Sequence, residues 1–473
     1  MESTLDFMIM SLMEHLKYVD IKIKSYWHKP SHRATNLASL TPEKQMGEVL
    51  TFYSDTIEHL WKIAECNSKK TEAEEGRVGT MYMGSSWEGT YLPEISEGFD
   101  AYVMEEDAQK EFHSTIEAIA SDSHDEMADS KSLFKLLYTE KTGYYLITWT
   151  DYGLQVKANY EEKRRTEREG INEGNDQEMF CVLDELTEEI EANGTIIPVL
   201  SPSKYRKMVL RMPPASIQGF PVWFRMQDQN SPAITLLFEE LKQHGKIKKI
   251  TVVDAVTSIC TTKLTLDHKW IKGKENSSKW LTKDLLSKLQ ENKTFLVAKS
   301  WEKDQENLFC WRISFSIVER QCIKLLPPEP KICLIILKAI RRKFLKEPKG
   351  LVTYHLKTIL FYHLDKVGRD WKAEERAQNI LILLNDLAEA LKSKSLPLFF
   401  EPELNILGGI EEKSLAELET KTRQILACPG VVLMSGILFQ SLDEAHKKEN
   451  FLKSEKGTHV WFDEKPTEPK LFY

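Results

Sequence analysis

The sequence predicts an α+β protein with two lobes, because its pattern changes twice along the chain. The first 65 residues carry apolar residues at helical spacing. From Met81 the chain consists of short runs rich in β-branched and aromatic residues, and after Trp311 its pattern is helical again. This order favours a lobe built on a mixed sheet, followed by a lobe built as a helical bundle.

Length and composition agree with a globular chain of more than one domain. The 473 residues carry a formal net charge of −8, and 41% of them are hydrophobic, which is too high a share for wholesale disorder. No apolar run approaches the roughly 18 residues that a membrane-spanning helix needs. The acids in MESTLDFMIM are unlike the basic start of a secretory signal. We therefore expect a cytoplasmic protein that makes no membrane contact.

Four segments of the chain predict helices. Thr41-Pro42-Glu43 is typical of a helix start, and apolar residues follow it at helical spacing. Ile332–Leu345, Val352–Leu364 and Ala373–Leu391 each place apolar residues three and four apart, with short polar joints between them. We interpret Pro327-Pro328-Glu329-Pro330 as the end of the preceding segment. The last three segments together predict the helical bundle.

Short apolar runs bounded by turn-forming residues predict strands. They are MYM at 81–83, FDAYVM at 99–104, YYLITW at 144–149 and ITVVDAV at 250–256. The acidic stretches 121–130 and 161–178 are predicted to be solvent loops, with a solvated helix as the alternative for 161–169. The predicted boundaries are an N-terminal helical region with a long spine helix at 1–75, an α/β lobe at 76–310, a helical lobe at 311–445 and a flexible tail at 446–473.

The common sequence signatures of catalysis and metal binding are missing. The seven cysteines are scattered and contain no CxxC pair, which predicts neither a disulfide framework nor a cysteine-based zinc site. The chain has no GxGxxG or GxxxxGK[ST] for a dinucleotide or P-loop site, and no HExxH or GxSxG.

The strongest chemical signal is a Gly-Ser turn followed by acids on strands. Gly84-Ser85 follows the first predicted strand, where backbone N–H groups and a hydroxyl can hold a triphosphate. Asp100 lies on the next strand, and Asp254 lies inside a later apolar run. Carboxylates that meet beside such a turn could hold Mg²⁺ against phosphate oxygens. The alternatives are an ordinary turn and an edge strand on which Asp254 faces water.

These residues belong to a longer series of motifs. In chain order the series is Gly84-Ser85, Asp100, SPAITLL at 231–237, Val253-Asp254, WRISFS at 311–316, TYHLKT at 353–358 and FFEPELN at 399–405. With this series the chain resembles the male-abnormal-twenty-one (Mab) family, and within it the cyclic GMP-AMP synthase-like receptors. The resemblance spans roughly residues 45 to 410, and its last three motifs are the most specific.

The resemblance implies a nucleotidyltransferase-fold lobe joined to a helical lobe, with an active cleft between them. Active members use Mg²⁺ (or Mn²⁺) to join ATP and GTP into a cyclic dinucleotide when double-stranded RNA or another nucleic acid binds, as a step in innate immune signalling. The resemblance further implies that Asp100 and Asp254 are catalytic metal ligands, with Glu97 as the third acid. The residues it assigns to nucleotide binding are Gly84, Ser85, Arg312, Ser314, Lys338 and Tyr354.

The sequence departs from the family pattern in two places. Active members carry two acids two positions apart on the first catalytic strand, so that both share one face. Here Gly98 stands two positions before Asp100, and the nearest acid is Glu97. A glycine bulge would turn Glu97 back toward Asp100, and without it the site has lost a ligand. The segment 316–328 leaves no room for a zinc-binding insertion, so we expect no zinc, while RNA sensing and no nucleic-acid sensing both stay open.

The assigned side chains and the basic clusters also have plainer interpretations. Arg312 and Ser314 could point to solvent, Tyr354 could belong to the core, and Lys338 could be a surface lysine. Basic clusters could hold a nucleic-acid duplex by its phosphates, or could simply be solvated surface. The clusters are Lys204, Arg206, Lys207 and Arg211; Lys246, Lys248 and Lys249; and Arg341, Arg342, Lys343, Lys346 and Lys349.

Three functions therefore stay open at the level of the sequence. The first is a Mg²⁺-dependent nucleotidyltransferase that makes a cyclic dinucleotide. The second is a pseudoenzyme with the same fold that serves as a nucleotide-binding or protein-interaction scaffold. The third is a nucleic-acid-binding module whose output is a conformational change or the recruitment of a partner. Retained phosphate contacts beside a damaged metal site would favour the second.

Overall fold

The computed structural model describes most of the chain between residues 39 and 430. The described residues are 39–52, 61, 80–83, 99–103, 133–166, 183–192, 194–211, 222–225, 233–241, 247–256, 258–261, 266, 268–292, 294–298 and 309–430.

The described residues form helices and strands in the predicted order, so the α+β class is confirmed. The helices are α1 (Pro42–Phe52), α2 (Asp151–Thr166), α3 (Pro202–Arg211), α4 (His268–Ser277), α5 (Lys283–Gln290), α6 (Ser316–Lys324), α7 (Pro328–Phe344), α8 (Thr353–Val367), α9 (Arg376–Ser393) and α10 (Glu412–Ala427). The strands are β1 (Thr80–Met83), β2 (Phe99–Val103), β3 (Phe134–Tyr138), β4 (Tyr144–Trp149), β5 (Thr187–Ala192), β6 (Thr195–Leu200), β7 (Val222–Arg225), β8 (Ala233–Leu241), β9 (Ile247–Val256), β10 (Ser258–Thr261), β11 (Thr294–Val297), β12 (Trp311–Ser314), β13 (Pro397–Leu398) and β14 (Glu401–Asn405).

The first sheet has the strand order β1-β2-β9-β8-β7 and is mixed. β2 and β9 run parallel, while β1 with β2, β9 with β8, and β8 with β7 are antiparallel. β9 is therefore an interior strand, hydrogen-bonded to β2 on one side and to β8 on the other.

The second sheet has the order β10-β11-β12-β4-β6-β5, and β3 pairs with the remaining side of β4. Trp311 is fully buried beneath it, where its indole Nε1–H donates to the Leu200 carbonyl at 3.0 Å. The Tyr205 ring meets the Trp311 ring edge-on, with 5.4 Å between centroids. This contact fixes β12, the strand that carries two of the predicted nucleotide-binding residues.

The helices after residue 316 pack around an aromatic cluster. Phe399 and Phe400, in the β13–β14 hairpin, are buried and contact the Phe361 ring of α8 at centroid distances of 5.2 and 5.7 Å. The segment that contains α4 and α5 is held against α8, because Trp280 Nε1–H, between these two helices, donates to Asp365 Oδ1 of α8 at 2.9 Å. Lys274 forms an ion pair with the same carboxylate.

Three further contacts define the helical part of the molecule. Arg376, at the start of α9, donates to both carboxylate oxygens of Glu329 on α7 at 2.8 and 2.7 Å, a bidentate geometry. α1 packs against α9, with Met46 fully buried. The buried Gln45 side chain accepts a hydrogen bond from the Gly430 backbone N–H at 3.2 Å.

Several boundaries differ from the sequence prediction. Pro328 begins α7 rather than ending the segment before it, because proline fits the first turn of a helix, where its missing N–H costs nothing. Residues 161–166 belong to α2, so the loop prediction was wrong there and the solvated-helix alternative was right. Residues 121–130 lie outside the described residues. Within the ranges given above, no helix combines the length and apolar character needed to cross a membrane.

Candidate functional site

The backbone register places the two predicted metal-binding aspartates side by side. β2 and β9 are parallel neighbours, and Asp100 is the register partner of Asp254. Adjacent strands lie about 4.8 Å apart, and register partners share one face of a sheet. Two carboxylate-bearing positions at this separation suit a hard divalent cation, which prefers oxygen ligands.

The register also tests the alternative position for Asp254. The edge-strand position is wrong, because β9 lies between β2 and β8, and Asp254 pairs with Thr235 of β8 as well as with Asp100. On the far side of β2, Asp100 pairs with Met83, the last residue of β1. The chain thus leaves β1 next to Asp100 and continues into the predicted phosphate-holding turn. Gly84, Ser85, Glu97 and Gly98 themselves lie outside the described residues.

Arg312 and Ser314 occupy the less buried face of β12. The strand alternates between buried and half-buried residues, with Trp311 and Ile313 in the core and Arg312 and Ser314 on the opposite face. Ser314 Oγ lies 2.7 Å from Ser316 Oγ, a hydrogen bond that joins the end of β12 to the first residue of α6. Neither Arg312 nor Ser314 is fully exposed, so their face of the strand is partly covered.

Tyr144 lies opposite Arg312 on the neighbouring strand β4. The two residues are register partners in the antiparallel pair, and Tyr144 is buried. The Arg312 guanidinium acts on the Tyr144 hydroxyl both through its charge and as a hydrogen-bond donor, and both effects lower the pKa of that hydroxyl. Burial raises the pKa of this hydroxyl and the arginine charge offsets part of that rise, so the phenol is neutral at physiological pH.

A buried ion pair lies beyond this strand, between α6 and α8. Lys357 Nζ is 3.6 Å from Glu319 Oε1, and both side chains are 7% exposed. Two charged groups are rarely this deeply buried, because each loses its hydration. Neither residue was predicted from the sequence. The signal that could have found them is their position within the WRISFS–IVE and TYHLKT segments that carry the resemblance.

Lys338 and Tyr354 have different surroundings. Lys338 is 1% exposed in α7, so the surface-lysine alternative is wrong. Tyr354 is half-buried at the start of α8 and packs against the core, as its plainer interpretation anticipates. Next to it, His355 Nδ1 accepts from the Val352 backbone N–H at 3.0 Å, and its Nε2 lies 3.2 Å from the Ile406 carbonyl. Since a carbonyl only accepts, Nε2 carries the proton, and these two bonds fix the first turn of α8.

α6 connects the two parts of the predicted site, which are the strands with the aspartates and the strand with Arg312 and Ser314. This helix follows Ser314 directly and lies next to β1, the strand that pairs with Asp100. The chain therefore brings the strands of the aspartates and the residues after Arg312 into one neighbourhood.

The basic clusters are less uniform than the sequence suggests. Arg341 is buried and its Nε donates to the Leu351 carbonyl at 2.7 Å, so it is a structural residue. Lys204 donates to the Thr187 carbonyl at 2.8 Å. Lys343, Lys346 and Lys349 are exposed at the end of α7 and in the segment that follows it.

Comparison with known proteins shows which family the C-terminal part of the chain resembles. Residues 329–424 match the family described as the Mab-21 protein HhH/H2TH-like domain. The chain is 26% identical to "Cyclic GMP-AMP synthase-like receptor 3" of Stylophora pistillata, over 31% of this chain and 46% of that protein. It is 26% identical to a "Cyclic GMP-AMP synthase-like receptor" of Trichogramma pretiosum, over 29% of this chain and 30% of that protein. It is 30% identical to "Protein mab-21-like" of Drosophila melanogaster, over 34% of this chain and 42% of that protein.

These matches confirm the resemblance to the Mab family that was inferred from the sequence motifs. Among named proteins, the chain is similar both to cyclic GMP-AMP synthase-like receptors and to mab-21-like proteins. The chain spans less than half the length of the curated relatives it matches. The matched domain contains Lys338, Tyr354 and Lys357, and it begins well after the strands that carry Asp100 and Asp254.

Proposed function

We propose that the protein is a cyclic GMP-AMP synthase-like nucleotidyltransferase that joins ATP and GTP into a cyclic dinucleotide. The observation that carries the proposal is the register pairing of Asp100 with Asp254 on parallel strands. Two carboxylates on adjacent strands are a donor set that fits Mg²⁺ or Mn²⁺, and Glu97 is the proposed third ligand. Metal ions bound there would polarise phosphate oxygens and neutralise their charge.

The proposed roles of the chain's own residues follow from their chemistry. Arg312 supplies a guanidinium that can hold a phosphate through paired hydrogen bonds, and Ser314 adds a hydroxyl on the same strand face. Gly84 and Ser85 form the proposed triphosphate cradle directly after β1. Tyr354 offers a ring face on which a base can stack.

Lys338 is the weakest of these assignments. It is 1% exposed, so a nucleotide could reach its ammonium group only if the surrounding helices opened. We therefore propose that Lys338 acts on the site through the residues around it.

A nucleic-acid activator is the proposed trigger, and innate immune signalling in the cytoplasm the proposed setting. The exposed Lys343, Lys346 and Lys349 could neutralise backbone phosphates of a duplex without reading its sequence. Affinity for such a duplex would fall steeply with salt concentration, because binding releases counterions.

The test is reconstitution of the reaction from purified protein. The protein is incubated with the four nucleoside triphosphates, Mg²⁺ or Mn²⁺, and double-stranded RNA or DNA, and the products are separated by chromatography. A cyclic dinucleotide that depends on the metal supports the proposal. Unchanged triphosphates under every combination of metal and nucleic acid contradict it.

A second function is favoured by one feature of the sequence. Gly98 occupies the position of the first acid in active members of the family. Without rescue by Glu97 the protein would be a catalytically impaired pseudoenzyme that binds a nucleotide or serves as an interaction scaffold. Triphosphate binding by calorimetry, together with no product in the reconstituted reaction, would select this alternative.

A further inference from the structure

Tyr144 and Arg312 form a side-chain pair on one face of the second sheet. They are register partners on β4 and β12, so their side chains leave the sheet on the same face. Tyr144 is 8% exposed, whereas Arg312 is only half-buried. The tyrosine is therefore the fixed member of the pair, and the arginine is the member that can still reach a ligand.

The backbone around Tyr144 is held in place on both sides. Thr139 Oγ donates to the Tyr144 carbonyl at 3.0 Å across the β3–β4 turn. The Ile313 backbone N–H, next to Arg312, donates to the Gly143 carbonyl at 2.8 Å.

Gly143 makes this close approach feasible. It has a φ of +78°, and a Cβ at this position would lie 3.3 Å from Leu404 Cδ2. Glycine adopts this conformation with little strain, whereas other residues rarely do. The turn therefore holds the backbone of Tyr144 in a fixed position opposite Arg312.

An arginine side chain held by a fixed acceptor binds an anion more tightly than a free one. A free arginine side chain has many rotamers, and part of this conformational entropy is lost when the guanidinium binds a phosphate. A hydrogen bond from the guanidinium to the buried Tyr144 hydroxyl removes much of that freedom before the ligand arrives. The neutral phenol accepts this bond and leaves the positive charge of the arginine intact.

We propose that Tyr144 is a positioning residue that orients the Arg312 guanidinium toward a nucleotide phosphate. This inference rests on the proposed function, because it takes a nucleoside triphosphate as the ligand of Arg312. It assigns a role to the β3–β4 hairpin, which the sequence motifs do not include.

The test compares Tyr144→Phe with Tyr145→Phe. Both substitutions remove one hydroxyl from a buried tyrosine and keep the ring, but Tyr145 is the partner of Trp311 and lies on the other face of β4. Dissociation constants for ATP and GTP are measured by calorimetry, and the melting temperature is measured for each variant. We expect Tyr144→Phe to weaken triphosphate binding about tenfold, as for loss of a hydrogen bond to a charged group, and Tyr145→Phe to leave it unchanged.

A double-mutant cycle with Arg312→Ala separates positioning from general packing. If Tyr144 acts through Arg312, Tyr144→Phe has no further effect on triphosphate affinity once Arg312 is alanine. Equal losses of affinity in the two backgrounds, or no loss in either, overturn the positioning role. Failure of the unaltered protein to bind any triphosphate is a separate outcome, and it overturns the proposed function and this inference together.

Discussion

Glu319 and Lys357 form an ion pair between α6 and α8, with 3.6 Å between Oε1 and Nζ and both side chains almost completely buried. Such a pair contributes little net stability relative to apolar residues, because each charge loses its hydration on burial. Removing one partner is costly, since the other charge is left buried and uncompensated. Because the pair adds little net stability, we expect it to serve chemistry or specificity.

We expect Lys357→Met to lower the free energy of unfolding by about 3–5 kcal/mol, because it leaves the buried Glu319 carboxylate without its positively charged partner. Urea denaturation measures the change. The double variant Glu319→Leu with Lys357→Met should recover most of the lost stability, since it removes both charges. If the double variant is as unstable as Lys357→Met, the stranded charge is not the cause. Loss of triphosphate binding in the recovered double variant would place the pair in the nucleotide site.

Asp254→Asn is expected to abolish product formation while the melting temperature stays within a few degrees of the unaltered protein. The substitution removes one carboxylate charge from the pair on β2 and β9 without changing the size of the side chain. Chromatography of the reaction products is the measurement. Asp370→Asn, at an exposed aspartate between α8 and α9, is the matched control and should leave the rate unchanged. An active Asp254→Asn variant would remove the catalytic assignment.

Glu97→Gln distinguishes an active site from a damaged one. If a bulge at Gly98 brings Glu97 beside Asp100, the variant should lose product formation by at least a hundredfold, because a metal ligand becomes neutral. Glu94→Gln, another acid of the same segment, is the control. Equal rates for Glu97→Gln and the unaltered protein would show that Glu97 holds no metal.

His363 predicts a pH dependence of stability. Burial lowers its pKa from 6.5, and its Nε2 lies 3.3 Å from Asn379 Oδ1 on α9. Asp386 and Lys366 are the charged groups that act on it, in opposite directions. The unfolded state binds a proton more readily than the folded state, so the contribution of His363 is present above about pH 6.5 and is lost as the pH falls through the lowered value.

We therefore expect the free energy of unfolding to fall below pH 6.5 with a slope of up to about 1.4 kcal/mol per pH unit from this residue. His363→Gln keeps a donor for Asn379 and removes the titration. Urea denaturation at a series of pH values should show a shallower slope between pH 6.5 and 5 in this variant. Parallel slopes for both proteins would assign the dependence to other groups.

Regular apolar periodicity allowed the helices of the C-terminal part to be predicted within a few residues. α8 begins at Thr353 against a predicted start at Val352, because side chains facing a core repeat every three to four positions. Strands were harder to predict. β5 reads TEEIEA, and its three glutamates give no apolar face that would identify it as a strand. Its pairing with β6 becomes clear only in the fold.

The site was predictable in part for the same physical reason. Asp100 and Asp254 could be identified because a buried charge inside an apolar strand costs free energy unless a partner such as a metal ion compensates it. Glu319 and Lys357 did not stand out, because charged residues on a helix are usually at its surface and only tertiary packing buries them. The partnership of Tyr144 with Arg312 depends on strand register, which joins segments distant in sequence.

The hydrogen bond between Gln45 and Gly430 joins positions 385 apart, so an early helix and the end of α10 meet as neighbours. The range that matches the family, 329–424, is consequently smaller than the packed unit of helices to which it belongs. A fragment that ends at those limits would contain α9 but not α1, whose apolar residues pack against α9. The uncovered apolar surface of α9 would favour self-association of the fragment. Boundaries for expression should therefore include both α1 and Gly430, and should not follow the limits of the family match alone.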